Sequence, residues 1–154
     1  SLKNTGIAII NDTIDVNEQK DHRKHWSERI HPKNKEDVGL RLAYLTLAKD
    51  YGLDIVASGP IFKEYVTSGN TIRIIFEHTG RGLKWRDKNS SNHSFQISND
   101  GSTFVKANAR IDGHTVILSG ISNPRYVKFA WSNIPTVNLV NSSGLPASSF
   151  RAVP

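Results

Sequence analysis

Phe62-Lys63-Glu64-Tyr65-Val66-Thr67-Ser68-Gly69-Asn70-Thr71-Ile72-Arg73-Ile74-Ile75-Phe76-Glu77-His78 is the stretch on which the fold turns. Its second half alternates Ile72, Ile74 and Phe76 against Arg73 and Glu77, the period of two that places apolar side chains on one face of a strand. Two such runs around Ser68-Gly69-Asn70 read as a β-hairpin. Downstream, strands are expected at Phe95 to Ser98, Phe104 to Ile111, Thr115 to Ser119 and Tyr126 to Trp131. Asn99-Asp100-Gly101 and Asp112-Gly113 supply turn residues between them. Short strands at this spacing describe an antiparallel sandwich. From Ser132 the periodicity vanishes, and an irregular tail rich in Asn, Ser and Pro runs to Pro154, either frayed or laid across another surface.

Upstream of Leu53 the period is helical. Lys35 to about Tyr51 carries apolar residues at Val38, Leu42 and Leu45 and a second row at Leu40, Tyr44, Leu47 and Tyr51, with Gly52 as a stop. Such a wide face is expected to pack against a sheet. Asn34 is a good N-cap, and Asp37 falls where a carboxylate meets the positive end of the helix dipole. Pro32 disfavours helical geometry at the residue before it, so His31 is held in a short extended loop just ahead of the helix. A histidine there can hydrogen-bond the local backbone, or it can be aimed at a substrate for proton transfer near neutral pH.

Gly6-Ile7-Ala8-Ile9-Ile10 is a continuous apolar run of the kind buried on both faces of a parallel sheet. Strand, histidine loop and helix form a closing unit of a doubly wound α/β domain, where ligands bind at the carboxyl ends of the strands. The expected fold is thus α/β plus β. Residues 1–53 would be the C-terminal part of the α/β domain, and residues 54–154 a β-sandwich with an irregular tail. Between strand and helix, Asp15 to Arg29 is highly charged around Trp26 and reads as a surface loop. Trp26 either stacks on a sugar ring or pins that loop to the body.

The net charge of the 154-residue chain is +6, with a pI near 9.7, which raises phosphate binding as a possibility. Outside Lys20 to Lys35 the basic residues are dispersed and accompany no nucleic-acid motif, which argues against that class. The sequence has no cysteine, so disulfides, thiolate metal sites and cysteine nucleophiles are excluded. His22 and His25, with Asp21 and Glu28 nearby, have the spacing of two zinc ligands on one helical turn. Their polar surroundings and the lack of a third histidine at motif spacing favour a solvated loop, and neither metal nor cofactor is expected.

Ile30-His31-Pro32-Lys33-Asn34-Lys35, followed by Val38-Gly39 and Arg41-Leu42-Ala43, resembles the block that closes the catalytic domain of sialate O-acetylesterase-like carbohydrate esterases of the SGNH-hydrolase type. Ser58-Gly59-Pro60, Arg125-Tyr126 with Ala130-Trp131, and Asn138-Leu139 through Gly144-Leu145-Pro146-Ala147 to Ser149-Phe150-Arg151 resemble that family's C-terminal region in the same order. The resemblance implies an SGNH-type unit followed by a sandwich, an acetylated carbohydrate as substrate, and a periplasmic or secreted enzyme. It makes His31 the general base and then the general acid.

SGNH enzymes typically place the orienting carboxylate three residues before that histidine, where Glu28 stands. Many relatives show Asp-Ile-His-Pro instead, and Arg29 occupies that acid's position here. Gly120-Ile121-Ser122-Asn123 matches a Gly-x-Ser-Asn nucleophile block in letters only, because in this family the serine precedes the histidine and lies at the start of its domain. The nucleophile is therefore expected on a segment outside this sequence or on another chain, so that this part alone is inactive. The competing class is a non-catalytic sandwich that binds carbohydrate through Trp85, Trp131 or Phe150, or that braces the hydrolase domain.

Overall fold

The structure, a computed structural model, describes residues 5–13, 31–90, 93–133 and 135–154. Helix α1 spans Lys35–Lys49. Among the described residues it is followed by ten strands: β1 Ile61–Ser68, β2 Thr71–Glu77, β3 Leu83–Trp85, β4 Phe95–Ser98, β5 Val105–Lys106, β6 Asn108–Asp112, β7 Thr115–Ser119, β8 Tyr126–Phe129, β9 Leu139–Asn141 and β10 Phe150–Ala152. Two four-stranded sheets, ordered β1-β2-β7-β6 and β10-β8-β4-β5, are joined by a small β3-β9 pair. Every pairing is antiparallel.

Alternation builds the core as the hairpin requires. Ile72, Ile74 and Phe76 of β2 with Val116 and Leu118 of β7 form one inner face, and Phe95, Ile97, Val127, Phe129, Phe150 and Ala152 form the other. The β1–β2 turn is a two-residue loop in which Ser68 pairs with Thr71 and Gly69 takes φ +54°, a sign of φ that suits glycine. The expected strand from Phe104 to Ile111 is two strands. Ala107, 4% exposed, donates its N–H to the Phe95 carbonyl at 3.0 Å. The chain crosses between the sheets there, so β5 and β6 belong to different sheets.

The tail is laid across the body, as one of its two readings expected, but it carries strands that its irregular composition did not announce. Its segment from Val137 to Ala152 is part of the body: β9 pairs with β3 and β10 with β8. Phe150 is 7% exposed at the centre of an aromatic cluster, with ring centroids 4.5 Å from Phe62, 5.8 Å from Phe129 and 5.9 Å from Phe76. Polar composition hid these strands because buried asparagines here meet their polar needs with side-chain hydrogen bonds to the surrounding backbone. Asn141, fully buried, donates to the carbonyls of Ser58 and His78 and accepts from the N–H groups of Ser143 and Leu145, each at 3.0 to 3.1 Å. Asn138 brackets Asp87 in the same way, accepting from its N–H at 2.8 Å and donating to its carbonyl at 3.0 Å.

Two expectations for the N-terminal part are modified. Gly6 to Ile10 joins no ladder among the described residues, and Ile7, expected to be buried, is 78% exposed. Helix α1 packs on this segment rather than on a sheet: a Cβ at Gly6 would lie 3.6 Å from Leu45 Cδ1. Leu40 and Leu42 of its expected apolar face are 42% and 52% exposed. The cap is as read. Asn34 accepts from the Asp37 N–H at 3.0 Å, Gly52 takes φ +68°, and the Leu53 N–H closes on the Leu47 carbonyl at 3.0 Å.

Candidate functional site

His31 is exposed and sits four residues ahead of the first turn of α1. Pro32 holds the backbone before the helix, and the Lys35 N–H bonds the Lys33 carbonyl at 2.9 Å, so the loop is short and tied to the cap. The ring is accessible to a substrate or a neighbouring polypeptide. Glu28, the expected carboxylate partner, lies outside the described residues, as do His22, His25 and Trp26. Among the described residues no group of three or more His, Cys, Asp or Glu side chains could hold a metal ion.

Behind the histidine loop stands a cluster that sequence reading missed. Asp12, whose side chain is 3% exposed, receives both Arg41 nitrogens, at 2.5 Å on Oδ1 and 3.0 Å on Oδ2. Arg86, just past β3, reaches Asp12 Oδ2 at 2.6 Å. Burial alone would raise the Asp12 pKa, but the hydrogen bonds from Arg41 and Arg86, and their charges, outweigh it and hold the carboxyl below its ordinary value. Arg41, the buried residue of α1, also donates to the Ile9 carbonyl at 2.7 Å. Beside it, Asn11 Nδ2 donates to the Ala147 carbonyl at 3.1 Å and to Ser149 Oγ at 3.2 Å.

Residues from three of the blocks that carried the family resemblance, those of Arg41, of Ser58-Gly59-Pro60 and of Gly144 to Ser149, meet at this junction. Gly59 passes so close to Leu145-Pro146 that a Cβ there would stand 1.9 Å from the Pro146 carbonyl oxygen, and the Ser148 N–H bonds the Pro60 carbonyl at 2.9 Å. Glycine is therefore required by the contact. Their separation in sequence concealed that Asp12, Arg41, Ser58-Gly59-Pro60 and Gly144 to Ser149 are one structural unit.

Between the N-terminal segment, the end of α1 and the start of β1 runs an apolar groove of about 760 Å³. Ile7, Leu45, Ala48, Ile55 and Ile61 line it, with His78 and Lys49 as its basic groups.

The other sequence candidates separate. Ser122 lies in the β7–β8 connection, where the Asn123 N–H bonds Asn70 Oδ1 at 3.2 Å and Asn123 takes φ +52°. Phe150 is core and offers no binding surface. Trp85 stacks on His93 with centroids 3.9 Å apart, and Trp131 is 54% exposed. Burial, with the Lys106 charge, lowers the His93 pKa. His114 is bound to the Thr79 hydroxyl at 2.7 Å.

The fold and the junction thus define a two-sheet sandwich docked onto a strand-like segment and a helix that presents a loop histidine. No family model matches the sequence, and no curated protein matches it. Among solved structures, the chain is similar to a crystal structure described as a novel carbohydrate acetylesterase, XAC1771, from Xanthomonas citri. The two share 36% identity and a TM-score of 0.74 over 80% of this chain. The match covers 29% of that enzyme, so this chain spans under a third of its length.

Proposed function

We propose that this chain is the C-terminal portion of a serine-dependent carbohydrate O-acetylesterase of the SGNH type, acting on an acetylated sugar such as a sialate, with His31 as its proton-transfer residue. The observation that carries this reading is an exposed histidine just ahead of a helix start in a chain 36% identical to a carbohydrate acetylesterase. The part of that enzyme beyond the match is long enough to contain the nucleophile and the rest of a parallel sheet, whether on the same polypeptide or another.

In this reading His31 removes the hydroxyl proton of the serine as its oxygen attacks the acetyl carbonyl. It returns that proton to the sugar oxygen as the acetyl ester bond breaks. A water molecule, activated by the same imidazole, then releases acetate and regenerates the serine. Glu28 is the proposed orienting carboxylate, holding the other ring nitrogen. The compartment proposed with this reading is periplasmic or extracellular.

The test is hydrolysis of an acetyl ester by the 154-residue chain alone and joined to the preceding part of its enzyme. Activity confined to the joined form, lost in His31→Ala and reduced in Glu28→Gln, supports the proposal. Full activity in His31→Ala removes it. A second reading, a carbohydrate-binding sandwich, is favoured by the exposure of Trp131. It predicts sugar-dependent quenching of indole fluorescence that Trp131→Ala abolishes.

A further inference from the structure

The histidine loop is connected to the sandwich by an unbroken line of hydrogen bonds. Arg86 at the end of β3 binds Asp12 Oδ2, and Asp12 binds Arg41 through both carboxylate oxygens. Arg41 Nη2 lies 3.4 Å from Asp37 Oδ2. That same oxygen accepts from Asn34 Nδ2 at 3.0 Å, and Asn34 caps the helix three residues after His31. The line begins in the rigid β region and ends at the loop that carries the imidazole.

Its chemistry suits positioning. Arg41 is a planar fork that fixes direction as well as charge, and its two Asp12 contacts with a third bond to the Ile9 carbonyl leave it little rotational freedom. Asp12 is shared by two arginines from separate parts of the chain, so a shift of either moves the other's partner. An interaction that merely tied the helix down would need only one such pair.

We propose that Asp12 and Arg41 are positioning residues for His31: they set the place of the α1 N-terminus, and with it the imidazole, relative to the sandwich. This rests on the esterase reading for its consequence in catalysis, though its structural part stands on the hydrogen bonds alone. Misplacing a catalytic group by about 1 Å can cost up to roughly a hundredfold in rate. The expected signature is therefore a loss in kcat with KM nearly unchanged.

The experiment uses Arg41→Gln, Arg41→Lys, Asp12→Asn and Asp37→Asn. In the 154-residue chain, the His31 ring resonances and the amides of residues 31–34 are followed by NMR. In the enzyme joined to its nucleophile-bearing part, kcat and KM are measured for an acetyl ester. Arg41→Gln and Asp12→Asn should shift or broaden the His31 signals, leave sandwich amides such as those of Ile74 and Leu118 in place, and lower kcat about tenfold or more. Arg41→Lys, which keeps the charge but not the fork, should recover part of that loss.

Should the two severe variants fail to fold, Arg41→Lys decides, because it keeps the positive charge beside Asp12 while losing the fork that also reaches Asp37. It should perturb the His31 signals in the folded chain. Unchanged His31 resonances in the folded variants overturn the proposal. Wild-type kcat in those variants, with His31→Ala inactive, overturns it while leaving the esterase reading intact. Full activity in His31→Ala overturns the esterase reading instead, and the NMR arm still decides whether the line sets the loop.

Discussion

At the scale of single residues, the fold depends on polar side chains placed where an apolar pattern would not look for them. Asn141 makes four hydrogen bonds with no exposure to water, so Asn141→Ala leaves two carbonyls and two N–H groups without partners. The expected cost is at least ~3 kcal/mol, since each buried group left unpaired costs about 1–3 kcal/mol. A urea midpoint shift at constant slope measures it. Asp12 makes a pH prediction. Its folded-state pKa lies below the ordinary value of 3.8, so its ionised form is the one that folding favours. The stabilisation it supplies is complete above that value and is lost as pH falls through the folded-state pKa. Melting curves should therefore show wild type and Asp12→Asn converging as the pH drops below 3.8, with the widest gap near neutrality. Asp100 behaves similarly at the surface. Bonds from the Ser98 hydroxyl and from the Thr103 and Ser102 N–H groups hold its pKa at about 2, and Ser98→Ala should move it upward in an NMR titration.

At the scale of elements, the sequence was legible where one force dominated. The β1–β2 hairpin, β4, β7 and the cap of α1 were readable because alternation, a Gly-Asn turn and an Asn-x-x-Asp start each depend on neighbours in sequence. The elements that were missed depend on partners distant in sequence. β3 and β9 are three residues each and exist because they pair with each other. β10 is placed by Phe150 entering a cluster built by β1, β2, β4 and β8. Likewise Asp12 and Arg41 carry no apolar period, and only the folded chain brings Arg86 to them. The signal that could have found them is the charged pair itself, an Asp two residues after an apolar run and an Arg inside an otherwise apolar helix face. The same reasoning gives a prediction for β10. Phe150→Ala should cost about 3–5 kcal/mol, as large-to-small changes of buried aromatics do. It should also detach β10 from β8, visible as lost amide protection at Arg151 and Ala152. A surface aromatic reserved for sugar binding would cost little when removed, so this measurement separates the two roles that composition alone left open for Phe150.

At the scale of the whole molecule, apolar exposure is distributed unevenly. Of the twelve large hydrophobic side chains that stand exposed among the described residues, eight lie between Ile7 and Ile61, including Leu42 at 52%, Tyr51 at 72% and Leu53 at 50%. The sandwich core, by contrast, is closed. A concentration of exposed apolar side chains of this kind marks an interaction surface or an aggregation liability, and here it falls in the part read as the edge of a doubly wound domain. The 154-residue chain alone should therefore bind a dye such as ANS and self-associate with rising concentration in sedimentation velocity. Replacing Leu42, Leu53 and Val56 together by Glu should reduce both effects. The melting temperature should stay within a few degrees, because none of the three contributes to the buried core and exposed substitutions typically change stability by about 0.5 kcal/mol or less. On the proposed esterase reading, the same triple variant in the joined enzyme should weaken the contact with the nucleophile-bearing part and lower activity through stability of the assembly. ANS binding and self-association that persist unchanged in the triple variant would show that this surface is not the one left uncovered.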